Sequence, residues 1–313
     1  MSHYFDSAQR RDIRALSRTF IGRTQWPTWL LLIAVPAAWF ALLLGSPVIG
    51  AGWTIILLIP VVVLWMSVQH ELLHGHPTRS VWFNKLLGYA PFAVWYPYTL
   101  YRDSHLHHHR DHDLTLPGVD PESRYLSQAH WQGSSRLLWG LLWLNKTVLG
   151  RVLLGPPLAL FGLATEEWQR LRRGDRQAWL MWLTHGSLTL LMFGFIALYS
   201  EISVWQYVFL VTVPVLSVGM VRSFYEHRPA ERPEQRTVLN EAGWPWTWLF
   251  LNLNLHLVHH DLPGLPWFHL PRVYQARREQ WQQRSGGFLV QGYGELMRRH
   301  AVQAIDSPQH PFS

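Results

Sequence analysis

The chain has 313 residues, of which 49% are hydrophobic and only 15% charged, with a formal charge of +7. Soluble domains carry about 25% charged residues, so this balance, with 19 Trp, points to a membrane protein with a polar part, since Trp favours the membrane–water interface. The absence of cysteine excludes disulfides, iron–sulfur clusters, thiolate-ligated haem and cysteine nucleophiles within this chain.

Residues 1–27 are polar and carry five arginines, from Arg10 to Arg23, without the short apolar core and cleavage site of a secretory signal. Residues 28–69 contain no charged side chain. That length suits two spans of about 20 residues, broken at Gly45-Ser46-Pro47 and Gly50-Ala51-Gly52. A helical hairpin over 28–45 and 52–73 is expected. Two apolar stretches follow, 81–100 and 137–164, each interrupted by a cation or proline: Lys85, Pro91 and Pro97 in the first, Lys146, Arg151 and Pro156-Pro157 in the second. Both read as interfacial or re-entrant pieces, with a fifth span over 137–164 as the competing reading. A second hairpin is expected over 178–199 and 203–222. Residues 1–300 then form one membrane domain, and 301–313 a disordered tail.

All Lys and Arg fall in residues 1–27, 70–176 and 222–313; apart from Arg222, the last residue of the second hairpin, none lies in either hairpin or its tip. The positive-inside rule places those three segments, both termini included, in the cytoplasm. The expected fold is therefore all-α and integral to the membrane, with about four transmembrane helices in two hairpins, interfacial helices and a cytoplasmic cap that holds the histidines. The cations flank apolar spans and form no aromatic-interleaved basic patch, which argues against nucleic-acid binding.

The 18 histidines concentrate in three clusters. His70 and His74 stand at i and i+4, one helical face. His105, His108 and His109 stand at i, i+3 and i+4, and His256, His259 and His260 repeat that arrangement. His76 and His107 point elsewhere. His112, seven residues after His105, is expected beside the ligands rather than among them. Glu71, Asn252 and Asp261 are further candidates to orient ligand imidazoles. By the topology above, all eight clustered histidines meet at one membrane surface. Eight imidazoles exceed what one ion accepts, so two metals are implied. Neutral ligands without a carboxylate at a ligand-like position of any cluster favour iron with O₂ over a hydrolytic dizinc site.

These clusters resemble the three histidine boxes of the membrane fatty acid desaturase and hydroxylase family, H-x3-H, H-x2-HH and H-x2-HH. The run Asn252-Leu-Asn-Leu-His256-Leu-Val-His259-His260-Asp-Leu-Pro263 is similar to the third-box region of bacterial members. Arg222-Ser-Phe-Tyr-Glu226-His227 resembles the segment that supplies one more ligand, and Asp120-Pro-Glu-Ser123 also looks familiar. The resemblance covers residues 28–275. It implies a non-haem diiron site of His70, His74, His105, His108, His109, His227, His256, His259 and His260, with Glu226 beside His227 and no catalytic residue beyond the ligands. It further implies two Fe ions, O₂ as co-substrate, a fatty-acyl or other lipid substrate and a bacterial inner-membrane location. The chain carries no rubredoxin, nucleotide-binding or haem module, so electrons are expected from a separate ferredoxin, rubredoxin or b-type cytochrome with its reductase. Desaturation is the expected reaction. Hydroxylation or ketolation of a lipid, alkane or carotenoid, and decarboxylation to a terminal alkene, are the alternatives within the class. A metal transporter is the alternative outside it, which requires ionisable residues in the spans, where His185 stands alone.

Overall fold

The computed structural model describes residues 6–313 and is mostly helical. Five helices among the described residues are long and apolar enough to cross a membrane. The first pair is α1 (Trp26–Leu44) and α2 (Ala51–Leu73). Each is apolar almost throughout, and a helix satisfies its own backbone polar groups, which hydrocarbon demands. Leu31, Val35, Trp39 and Leu43 of α1 are buried, whereas Leu30, Ile33, Phe40 and Leu44 are exposed, as expected of a lipid-facing side. Gly50, at φ +82, makes the turn into α2 in a region that L side chains rarely adopt.

The second hairpin is α4 (Arg176–Tyr199) and α5 (Val204–Tyr225); α5 contains a π-helical turn at Tyr207–Thr212. The two hairpin tips meet. Buried Ser46 accepts a hydrogen bond from the Glu201 backbone N–H at 2.8 Å, and its hydroxyl lies 3.2 Å from that of Ser200. The opposite ends of α2 and α5, where His74 and Glu226-His227 lie, are thereby brought to one side.

The remaining long helix, α3 (Val148–Arg172), differs from the broken interfacial piece expected over 137–164. It runs unbroken through Pro156-Pro157. Near its start, Ser217 of α5 donates to Val152 O at 2.8 Å. Its end turns through Gly174 (φ +75) into α4, with Trp182 donating to Glu167 at 2.8 Å. Both ends of α3 thus lie beside the ends of α4 and α5 that are remote from the hairpin tips.

Residues 81–100 dip into the bundle. After a short helix, Val81–Gly88, the chain loses regular structure and Phe92 stacks on Trp39 with ring centroids 4.6 Å apart. Irregular backbone at that depth needs partners from protein. Trp65 donates to Ala90 O (3.0 Å), Tyr207 to Phe92 O (2.7 Å), and the His185 ring lies 2.6 Å from Val94 O.

The cap has its own apolar core, including Leu16, Leu257, Val258, Leu270, Tyr274 and Trp281. A two-stranded parallel sheet pairs Leu239–Asn240 with Leu289–Val290. Residues 301–313, expected to be disordered, are instead held in place. Leu126 N donates to Pro308 O and His310 N to Leu126 O, both at 2.9 Å. His310 is buried, and Asp306 pairs with Lys146 at 2.8 Å.

Candidate metal centre

The first two histidine clusters sit where a helix stops, and the third spans a short helix of its own. His70 belongs to the last turn of α2 and His74 caps it. His105 and His108 lie on the helix Tyr98–His108 (α6), with His109 as its cap. His256, His259 and His260 lie on a helix spanning His256–Asp261, entered through left-handed Leu251 and Asn252 (φ 48 and 59). His227 follows the end of α5.

The nine histidines gather into two groups. His70, His74, His105, His109 and His259 form one, and His108, His227, His256 and His260 the other, each with its donor atoms within 4.8 Å of one another. In the first group the Nε2 atoms of His70 and His105 are 2.9 Å apart, those of His105 and His109 3.0 Å, and those of His109 and His259 3.1 Å. In the second, His227 Nε2 lies 3.0 Å from His108 Nε2 and 3.1 Å from His256 Nε2. Imidazole nitrogens held at about 2.1 Å by one ion stand about 3 Å apart when adjacent. Mutual hydrogen bonds do not explain the first group: His74 Nε2 is buried without a hydrogen-bond partner, an orphan that a metal would satisfy. The donor set therefore fits two ions, one in each group.

Metal ligation needs neutral imidazoles. Burial, reinforced by neighbouring histidines, holds His74, His109, His227, His256 and His259 well below their ordinary pKa. His108 differs: burial lowers it, but Glu122 and Asp120 outweigh burial and push it up to about 9. Its Nδ1 lies 2.8 Å from Asp120 Oδ1, and His105 Nδ1 lies 2.9 Å from Glu122 Oε1. Those contacts leave both Nε2 atoms free to face a metal.

The residues expected to orient ligands behave differently from one another. Glu226 Oε1 lies 3.8 Å from His256 Nδ1 and 3.3 Å from Arg222. Glu71 and Asn252 both grip Trp267: its N–H donates to Glu71 at 3.2 Å, and its carbonyl accepts from Asn252 at 3.1 Å. They fix the loop after the third cluster. Asp261 makes a two-pronged pair with Arg284 at 2.5 and 2.7 Å. His112 is exposed and lies in neither group. The helix carrying His105 ends at His108, so the seven-residue repeat that suggested proximity does not reach it. Asp120 and Glu122 are the two partners that cluster spacing missed; the Asp120-Pro-Glu-Ser123 motif was their only signal.

The sequence model of the family described as fatty acid desaturase matches residues 47–291. The chain belongs to the fatty acid desaturase family. No curated protein matches it. The matched region contains all nine histidines together with Asp120 and Glu122. As a member of that family the protein is an integral membrane protein of oxidoreductase type, and its histidine groups fit a diiron oxidase.

Proposed function

We propose that the protein is an O₂-dependent membrane diiron oxidase that desaturates a fatty-acyl chain, with all nine grouped histidines as iron ligands. The observation that carries this reading is the five-plus-four division of converging nitrogens, in a chain of this family. Bound iron would supply O₂ activation and the oxidation of an unactivated C–H bond. The protein's own part is positional. Asp120 and Glu122 hold His108 and His105 by their Nδ1 atoms, so each ring keeps one orientation. Glu71 and Asn252 hold the Trp267 segment against the third cluster. The buried apolar surroundings of the clusters keep bulk water from the chemistry.

The positions of both ends of α3 support four crossings, with α3 lying along the inner surface. On this reading residues 1–300 act as one domain, both termini and the metal centre face the cytoplasm of a bacterial inner membrane, and a separate electron carrier docks there. The transporter alternative loses its single intramembrane candidate, because His185 is bound to the Val94 carbonyl of the re-entrant segment.

Lipid and hydrocarbon profiling by mass spectrometry, in a host expressing either the protein or His259→Ala, tests the reaction. New double bonds that vanish with the substitution are the expected result. A new hydroxyl, a ketone or a terminal alkene one carbon shorter would move the reaction to the corresponding relative. Identical profiles for the two proteins would refute the oxidase reading.

A further inference from the structure

The C-terminal segment lies outside the region matched to the family, yet it reaches the metal centre through two chains of contacts. His310 is buried, and its Nδ1 accepts from Phe312 N at 3.2 Å. That contact leaves the proton on Nε2, which lies 3.1 Å from Thr115 Oγ1. Thr115 N donates to Asp120 Oδ2 at 2.9 Å, and Asp120 Oδ1 lies 2.8 Å from His108 Nδ1. The second chain starts at Asp306, which accepts from the Tyr125 hydroxyl at 2.5 Å and pairs with Lys146 at 2.8 Å. The Tyr125 hydroxyl also lies 3.5 Å from the carbonyl of His227. Leu126, next to Tyr125, is clamped between Pro308 and His310 by two backbone bonds of 2.9 Å.

Both chains end on the four-histidine group, at His108 and His227. The five-histidine group is carried by α2, α6 and the helix at His256–Asp261. Its link to the same loop is Glu122, at His105. The tail therefore supports the two groups unequally.

We infer that residues 301–313 form a strap that positions the four-histidine iron site, with His310 as its positioning residue acting through Thr115 and Asp120. This rests on the two-metal reading above. Burial, with Arg236 and Lys146 nearby, lowers the pKa of His310, which suits a neutral ring with a fixed tautomer. Removing His310 frees Thr115 and lets Asp120 turn away from His108. Loss of a group that orients a ligand weakens metal binding by about 10–100-fold, here at one of two sites.

The test measures iron release to a chelator from the purified full-length protein. Wild type, His310→Ala, His310→Gln and Asp306→Asn are compared, with melting temperature measured in parallel. In His310→Ala about half of the iron should leave at least about 10-fold faster, while the other half keeps the wild-type rate. Gln can still donate to Thr115, so His310→Gln should restore slow release; Asp306→Asn should accelerate the same half. Equal acceleration of all the iron, or a lower melting temperature with unchanged release, would overturn the inference. Wild-type protein that binds no second iron would instead defeat the diiron reading itself.

Discussion

Asp120 is the side chain on which His108 most directly depends, and Asp120→Asn isolates its charge at nearly constant shape. Asp120 Oδ1 lies 2.8 Å from His108 Nδ1 and accepts from Glu122 N at 2.9 Å, while Oδ2 accepts from Thr115 N at 2.9 Å. Asn offers one acceptor oxygen instead of two, so at least one of these partners is left facing an amide NH₂. A hydrogen bond to a charged group contributes about 1.5–3 kcal/mol, and leaving a buried donor unsatisfied costs about 1–3 kcal/mol. Loss of a carboxylate partner of a ligating histidine typically weakens metal binding by about 10–100-fold, or about 1.4–2.8 kcal/mol at 1.4 kcal/mol per factor of ten. The two routes agree. Iron affinity measured by chelator competition should fall by that factor, with a lower melting temperature. Glu122→Gln should cost less, since Glu122 is partly exposed and holds His105 through one oxygen. Unchanged affinity in Asp120→Asn would refute the argument that Asp120 orients His108.

Further outcomes follow from the same geometry. Replacing His70, His108 or His259 with Ala should abolish turnover and release iron, whereas Gln or Asn at His76, His107, His130 or His185 should leave the iron content unchanged. His76 and His185 contact Gln25 and the Val94 carbonyl, so their replacement should cost about 1 kcal/mol of stability, read from denaturant unfolding. Burial holds His76 down to about 4 and keeps His74, His109, His256 and His259 well below 6.5. The folded metal-free protein therefore binds fewer protons than the unfolded chain, and its stability should fall as the pH drops from about 6.5 toward about 4. A flat profile across that window would contradict neutral buried imidazoles. Because the chain has no cysteine, single cysteines report topology cleanly. Val48 and Gln283 are exposed and suit such labelling. Cysteine at 48 should react with an impermeant thiol reagent from outside intact cells, and cysteine at 283 should not.

The histidine clusters were legible because each sits on a helical turn, where i, i+3 and i+4 spacing alone sets a common face. The hairpins were legible because residues 28–69 exclude charge, and the observed helices begin and end within three residues of the expected spans. Asp120 and Glu122 were harder to see. They contact histidines 12 and 17 residues earlier in the chain, across a loop with no periodicity to project. The prolines at 156 and 157 suggested a break, yet the helix continues through them, and Arg151 near its start finds Asn145 O at 2.9 Å. The tail has no apolar periodicity and read as disordered. Its order comes from backbone pairing with Leu126 and from buried His310, contacts that local composition does not encode. The depth reached by Phe92 was equally hidden, since Trp39 and Tyr207, its partners there, are remote in sequence.

The central claim is two iron ions per chain, one in each histidine group, and elemental analysis of protein purified after iron-replete expression tests it directly. The account predicts two irons per chain in the wild type, with the count falling in both His108→Ala and His259→Ala. A single metal per chain, or zinc in place of iron, would contradict it.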